Sequence, residues 1–407
     1  MTAATHVPEV ESIPLEPLPI RIRDAIRTGN LGSWPVLGAL GLVVLYFSLT
    51  AHNFFTPINF SNLIGQMVGT CMLAYGVVFV LLIGEIDLSI GFVSGVAGMI
   101  VALLQQPPPA GPGLPGWLCI LIALACTTAI GAFQGAVVAL ILVPSFVVTL
   151  AGLLIWQGVI QVRLSGTGPI TIQDNTINNV YGYFFSDTGG WIIGGAVSAA
   201  YVLVTLGGAL WARRHGITIR DPAVLVLKLV AIPAITLLTV HISNKDRGVP
   251  FALLLVVVML LVLTFLAKRT MFGRHVYAVG GNAEAARRAG INVARIRILV
   301  FMISGFMAGL GGIVLASRLR SVDLNAGGST LLIDAISAAV IGGTSLFGGR
   351  GEIRNALIGA ALIAAIANGM NTKEWENAII YIVTGGILLL AVTLDTVVRR
   401  IQVKAGR

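Results

Sequence analysis

A polytopic, all-α bundle of transmembrane helices is the fold class this sequence predicts, and three observations point to it. Hydrophobic residues make up 56% of the 407 residues and charged residues only 11%, against about 25% charge in a soluble domain. The mean hydropathy is +0.93, and the apolar residues gather into a dozen stretches near the roughly 20 residues a membrane crossing needs. The 49 glycines suit helices that pack closely through small side chains in lipid.

Residues 1–33 carry Glu9, Glu11 and Glu16 and several prolines without an apolar core. This segment reads as a disordered cytoplasmic tail, not as a cleavable signal peptide. The apolar stretches follow at 34–51, 61–83, 89–104, 117–143, 145–161, 191–212, 223–242, 250–267, 298–316, 331–347, 356–370 and 378–394. The transmembrane domain is thus expected over 34–395, with a C-terminal tail over 396–407. The third and eleventh stretches are short for a full crossing, so ten crossings plus re-entrant pieces would also fit.

Orientation follows from the loops. With the N-terminus inside and one crossing per stretch, the inner loops hold 19 Lys and Arg and the outer loops 6, while Lys228 lies within a span. This asymmetry puts both termini in the cytoplasm. It also accounts for the net charge of +9 without any nucleic-acid partner. Cys71, Cys119 and Cys126 lie in apolar stretches without metal-ligand spacing, and the five histidines are scattered. Neither a metal nor another cofactor is expected. Outside, 105–116 reads as a Pro/Gly turn. Segment 165–190 reads either as a structured cap or as a docking place for an external partner.

Glu85, Asp87 and Ser89 sit between two spans, with Gly84 and Gly91 on either side and no Lys or Arg nearby. Acids at the membrane are costly and tend to border a solute path. The glycines permit an unwound backbone, and Ser89 is placed to cap the following helix. A polar turn at the membrane surface is the competing reading. Asp334, near the outer end of its span, either meets a polar solute or pairs with Arg318 or Arg320. A faint repeat relates Ile83-Gly84-x-x-x-Leu88-x-x-Gly91 to Ile341-Gly342-x-x-x-Leu346-x-x-Gly349, as internal duplication would.

The longest inner loop, 268–297, contains a short helix opened by Asn282, favoured at its start by Glu284 and ended by Gly290. Ala283, Ala285 and Ala286 give it a small-residue face for close docking on a protein, and Arg287 and Arg288 suit acidic partners there. No phosphate-binding G-x-x-x-x-G-K-[ST] loop occurs, nor any H-E-x-x-H or Ser/His/Asp pattern. The chain is therefore not expected to hydrolyse ATP, or to be an enzyme at all.

Three motifs resemble the permease subunits of bacterial ribose/xylose/arabinose-type ABC importers, with the xylose-type members nearest. They are Glu85-Ile86-Asp87-Leu88-Ser89-x-Gly91, the loop from Tyr277 to Val293, and Ile341-Gly342-Gly343-Thr344-Ser345-Leu346-x-Gly348-Gly349. Pro144-Ser145-Phe146-x-Val148-Thr149 and the additional pair of spans around 213–221 belong to the same resemblance, which covers residues 34–395. The charged run from Arg350 to Arg354 departs from it. The resemblance implies a monosaccharide pore in the bacterial inner membrane, formed with a second permease chain. A periplasmic sugar-binding protein would feed it, and cytoplasmic ATP-binding-cassette ATPases would drive it by alternating access. Candidate path residues are Glu85, Asp87, Ser89, Ser145, Phe146, Thr149 and Asp334. Candidate ATPase-coupling residues are Asn282, Glu284, Ala285, Ala286, Arg287, Arg288 and Gly290. An ion-coupled secondary sugar transporter is the alternative, with Asp87 or Asp334 as its coupling acids.

Overall fold

A computed structural model describes residues 34–216, 222–328 and 330–404; the tail expected over 1–33 lies outside them. The helices are α1 (Trp34–Thr50), α2 (Pro57–Leu82), α3 (Ile90–Leu104), α4 (Gly116–Ala136, continued by a π-helical turn Val137–Ile141), α5 (Ser145–Leu164), α6 (Asn175–Gly182), α7 (Asp187–Arg214) and α8 (Pro222–Asn244). They continue as α9 (Phe251–Arg269), α10 (Met271–Gly281), α11 (Ala283–Arg288), α12 (Val293–Leu319), α13 (Leu331–Ile341), α14 (Ile353–Thr372) and α15 (Asn377–Lys404). Each apolar stretch of the sequence is a helix. Eight are long and apolar enough to cross a membrane, and α1, α3, α13 and α15 are shorter or carry shorter apolar segments. The chain is a multi-pass helical membrane protein. Helix α15 runs through most of the expected C-terminal tail, to Lys404.

Helix α2 is the axis of the bundle: 89% of its most apolar window is buried, and Met72, Leu73, Tyr75 and Phe79 are fully enclosed. Lipid tails are as apolar as leucine, so close contact, not water exclusion, holds such a core together. Glycine supplies that contact. A Cβ on Gly76 would lie 3.2 Å from the Ser304 Cα of α12, and one on Gly305 of α12 would lie 3.2 Å from the Gly131 Cα of α4.

The ends of the bundle differ. One face carries the basic segment 268–297. The opposite face is capped by 165–190, where β1 (Ile170–Thr171) pairs antiparallel with β2 (Ser321–Val322). There Tyr181 is buried against Gly65, and the Ser317 hydroxyl donates to the Asn178 carbonyl at 2.8 Å. This segment is a structured cap. Helices α7 and α8 form a hairpin at the periphery, with only 11% and 6% of their apolar windows buried.

One expectation is corrected. The eleventh stretch is a 20-residue helix, α14, whereas the tenth is helical only over the 11 residues of α13. Apolar composition continues through Leu346 and Phe347, but Gly343, Gly348 and Gly349 take positive φ there and turn the chain into a loop.

Candidate translocation and coupling site

The segment 83–89 does not continue α2. Gly84 takes φ +75° and breaks the helix, and the chain turns back into the bundle as irregular backbone until α3 begins. Such backbone is tolerated at membrane depth only where protein satisfies its polar groups. Here the Ile86 N–H donates to the Ser145 hydroxyl (3.1 Å), and the Thr149 hydroxyl donates to the Ile86 carbonyl (3.2 Å). Both partners come from the first turns of α5.

Asp87 is the centre of this arrangement and is 7% exposed. Its carboxylate accepts from the Ser89 N–H (2.9 Å), the Ser89 hydroxyl (2.7 Å) and the Ser304 hydroxyl of α12 (2.7 Å). Ser304 lies eleven residues into α12. The apolar stretch begins only at residue 298, so Ser304 is about 9 Å into it at about 1.5 Å per residue, roughly a third of a bilayer's ~30 Å hydrocarbon thickness. The Ser89 hydroxyl also lies 3.0 Å from the Gln134 side-chain oxygen of α4. With its amide turned over, Gln134 donates to Ser89 and Ser89 donates to Asp87, which satisfies the otherwise orphaned Gln134 Nε2.

Ser89 therefore occupies the N-cap position of α3 without capping it, in αR conformation and with no bond to the helix backbone. Glu85 is not without a basic neighbour either. Arg297, 212 positions along the chain, lies 3.1 Å from it in a largely enclosed ion pair. The unwound stretch thus runs from an exposed Gly84 through half-buried Glu85 and Ile86 to buried Asp87 and Ser89 inside the bundle.

A second half-crossing meets the first. After β2 the chain dips into the bundle until Ala326 and Gly327 touch the first turns of α3. A Cβ on Gly95 would overlap the Ala326 carbonyl, and one on Gly91 would lie 2.8 Å from the Gly327 carbonyl. Helix α13 starts just beyond. Its first turn holds Asp334, half-buried, whose N–H donates to the Thr330 carbonyl at 2.7 Å. The positive end of the helix dipole favours an acid there. Among the described residues Asp334 forms no ion pair, so the pairing with Arg318 or Arg320 is not made. The candidate path residues fall into two groups. Asp87, Ser89, Ser145 and Thr149 are buried, with Glu85 close to them. Phe146 is half-exposed on α5 and Asp334 is partly exposed on α13.

The two copies of the repeated motif meet as well. Gly349, which ends the second copy, donates its N–H to the carbonyl of Leu82, which precedes the first (2.9 Å).

The basic face holds two short helices, not one. Thr270 caps α10, accepting from the Gly273 N–H, and Asn282 caps α11, accepting from the Ala285 N–H at 2.9 Å. Gly290, at φ +83°, follows the end of α11. Glu284 pairs with Arg287 (3.3 Å) and Arg288 (3.2 Å), all three exposed, so these contacts add little stability. The expected small-residue face is divided. Ala285 is exposed, but Ala286 packs into the main core and anchors α11. A groove of about 330 Å³ beside α11 is lined by Leu142, Arg287, Gly290, Asn292 and Arg297, among others.

Helices α9 and α10 are also tied to the loop after α13. The Tyr277 hydroxyl donates to the Gly351 carbonyl (2.8 Å), and Lys268 pairs with Glu352 (2.8 Å). Burial, and then the nearby Glu352 charge, push the Tyr277 hydroxyl up to about 12, so it stays a donor. Burial pushes the Glu352 carboxyl up, but Lys268 and Arg354 outweigh it and hold the group below its ordinary value. The charged run 350–354, the departure from the family pattern, supplies the acid of this contact.

Ser304, Gln134 and Arg297 were not singled out in the sequence. Gln134 within an apolar span is a readable signal, since an amide there needs a partner. A lone serine such as Ser304 is not, because serines are ordinary in membrane helices.

Two half-crossings that meet inside a membrane bundle, with a capped basic segment on one face, define a transport permease. Residues 59–392 match the family profile described as branched-chain amino acid transport system / permease component, and the chain belongs to that family. It is 38% identical over 380 residues to the xylose transport system permease protein XylH of Escherichia coli (strain K12), covering 93% of this chain and 95% of the relative. The XylH protein of Haemophilus influenzae is 36% identical, over 91% of this chain and 98% of its own. The ribose import permease protein RbsC of Escherichia coli (strain K12) is 30% identical, over 88% and 91%. No solved structure matches.

Proposed function

We propose that this chain is the permease subunit of an ATP-binding-cassette importer of xylose or a closely related monosaccharide. It lies in the bacterial inner membrane with both termini cytoplasmic. The relatives' names suggest the cargo, and the 19-to-6 distribution of Lys and Arg supports the orientation.

The observation that carries the mechanism is α11. It is a capped, basic helix on the face opposite the cap, anchored by Ala286 and otherwise open. An ATPase subunit docks there, on Asn282, Glu284, Ala285, Arg287, Arg288 and Gly290, and its closure on ATP displaces α11. A periplasmic sugar-binding protein delivers the sugar to the capped face. Asp334 supports a pore shared with a second copy of the chain. A partly exposed acid without a cation cannot face lipid cheaply, so its surface faces water or the second copy. Asp334 and Phe146 border the sugar path, while the Asp87 network holds the unwound segment beside it.

The test is copurification followed by reconstitution. An ATPase chain should accompany the permease in roughly equal amount, and xylose-loaded binding protein should stimulate ATP hydrolysis. Uptake should stop on ATP depletion and survive an uncoupler; the reverse selects an ion-coupled transporter. Arg287→Glu with Arg288→Glu should abolish assembly or stimulation. Normal values for both in that variant rule out α11 as the ATPase contact.

A further inference from the structure

We infer that the chain on either side of α11 grips the start of the unwound segment 83–89, and that displacement of α11 is passed through this grip to both half-crossings. The inference rests on the reading of α11 as the ATPase contact.

The first arm is the end of α10. Gly280 lies so close to the end of α2 that a Cβ on it would overlap the Leu82 carbonyl oxygen and sit 2.7 Å from the Gly349 N–H nitrogen. Gly349 itself donates to that same Leu82 carbonyl. A Cβ on Gly348 would lie 2.8 Å from the Gly280 carbonyl and 2.9 Å from the Gly84 nitrogen. Three backbones therefore meet without intervening side chains: the end of α2, the end of α10 and the loop after α13. Contacts between backbones have no rotamers to absorb a shift, so they transmit displacement stiffly. The Tyr277–Gly351 contact fastens α10 to the same loop, and Lys268 at the end of α9, just before α10, pairs with Glu352.

The second arm is the start of α12. Arg297 holds Glu85, three residues beyond Leu82. Helix α11 is held to this arm by the Ile291 N–H, which donates to the Ala286 carbonyl at 3.0 Å. A shift of α11 thus pulls on 82–85 from two sides. One half-crossing begins there, and the other ends at the loop fastened to Gly280. Gly280, Glu85 and Arg297 are positioning residues for the transport cycle, and long-range bending of the spans is not required.

The test uses the full importer, with its ATPase and binding proteins, in proteoliposomes. Three quantities are read: ATPase copurification, ATP hydrolysis with and without xylose-loaded binding protein, and xylose taken up per ATP. Arg297→Glu should still assemble, but uptake per ATP should fall by about tenfold, within the usual range for coupling between sites. Adding Glu85→Arg should restore most of the loss, because the swap rebuilds the pair. Gly280→Ala should uncouple in the same way; if it fails to fold, the charge swap decides. Normal uptake per ATP in Arg297→Glu, or no rescue by the swap, overturns the inference. Failure of the underlying reading looks different: the Arg287→Glu, Arg288→Glu variant then assembles and is stimulated normally, whatever Arg297→Glu does.

Discussion

Asp87 concentrates at one residue the problem that the whole segment must solve. A carboxylate inside a membrane protein survives only if donors surround it. The chain supplies three bonds, from Ser89 twice and from Ser304 once. Asparagine at this position has the same shape but no charge and only one acceptor oxygen, so the three donors that meet the carboxylate are no longer all matched. Asp87→Asn should therefore insert normally but lose roughly 1–3 kcal/mol of stability, the usual cost of hydrogen bonds to a charged group, with reduced xylose uptake. Thermal melting of the purified protein and uptake in cells check both parts. Wild-type values for both would leave the carboxylate without a role. The acid and its serine neighbour were legible in the sequence as a costly cluster. The partner on α12 was not, because no local pattern marks Ser304 among the small residues of that helix.

At the scale of elements, α3 and α13 are half-crossings because the chain between helices must enter the bundle, and only glycine lets it come close enough. Gly327 shows both requirements: it takes φ +76°, and a Cβ on it would overlap the Gly91 carbonyl. Gly327→Ala combines a left-handed penalty of about 1–2 kcal/mol with a backbone clash. It should sharply reduce the yield of monodisperse protein. Gly195→Ala is the matched control. It lies inside α7, meets nothing within 4 Å, and should be neutral or stabilising by about 0.5–1 kcal/mol. Equal behaviour of the two variants in size-exclusion and melting experiments would contradict this account of the half-crossings. Length predicted the third stretch as short. It misplaced the second short element, since apolar residues run on past Ile341 into a loop that glycines, not polarity, create.

At the scale of the molecule, the α7–α8 hairpin is nearly separate. Its helices pack mainly on each other, and its two ends leave the bundle side by side. There the Phe185 N–H donates to the Val249 carbonyl and the Phe251 N–H to the Tyr183 carbonyl, both at 2.9 Å. These are the additional spans that marked the resemblance to xylose-type permeases. Replacing residues 187–247 with a short Gly/Ser linker should leave the remaining bundle monodisperse and melting within about 5 °C of the full chain, a small shift for a protein of this size. Aggregation of the shortened protein would show that the hairpin is part of the core.

The sequence by itself determined the solvent, the class and the inventory. Apolar runs, charge asymmetry and helix-cap residues are local properties, and local properties are read along a chain. Asn282, Glu284 and Gly290 accordingly form the predicted short helix, and the twelve stretches are twelve helices. Only the tertiary structure decided which residues share a site. It joined Glu85 to Arg297, Asp87 to Ser304, Ile86 to Ser145 and Thr149, and Gly280 to Leu82 and Gly349. Inside a membrane every irregular backbone group must find a protein partner, and those partners come from whichever helix the packing brings near. The meeting of the two half-crossings is set in the same way, by backbones that approach each other across more than two hundred residues.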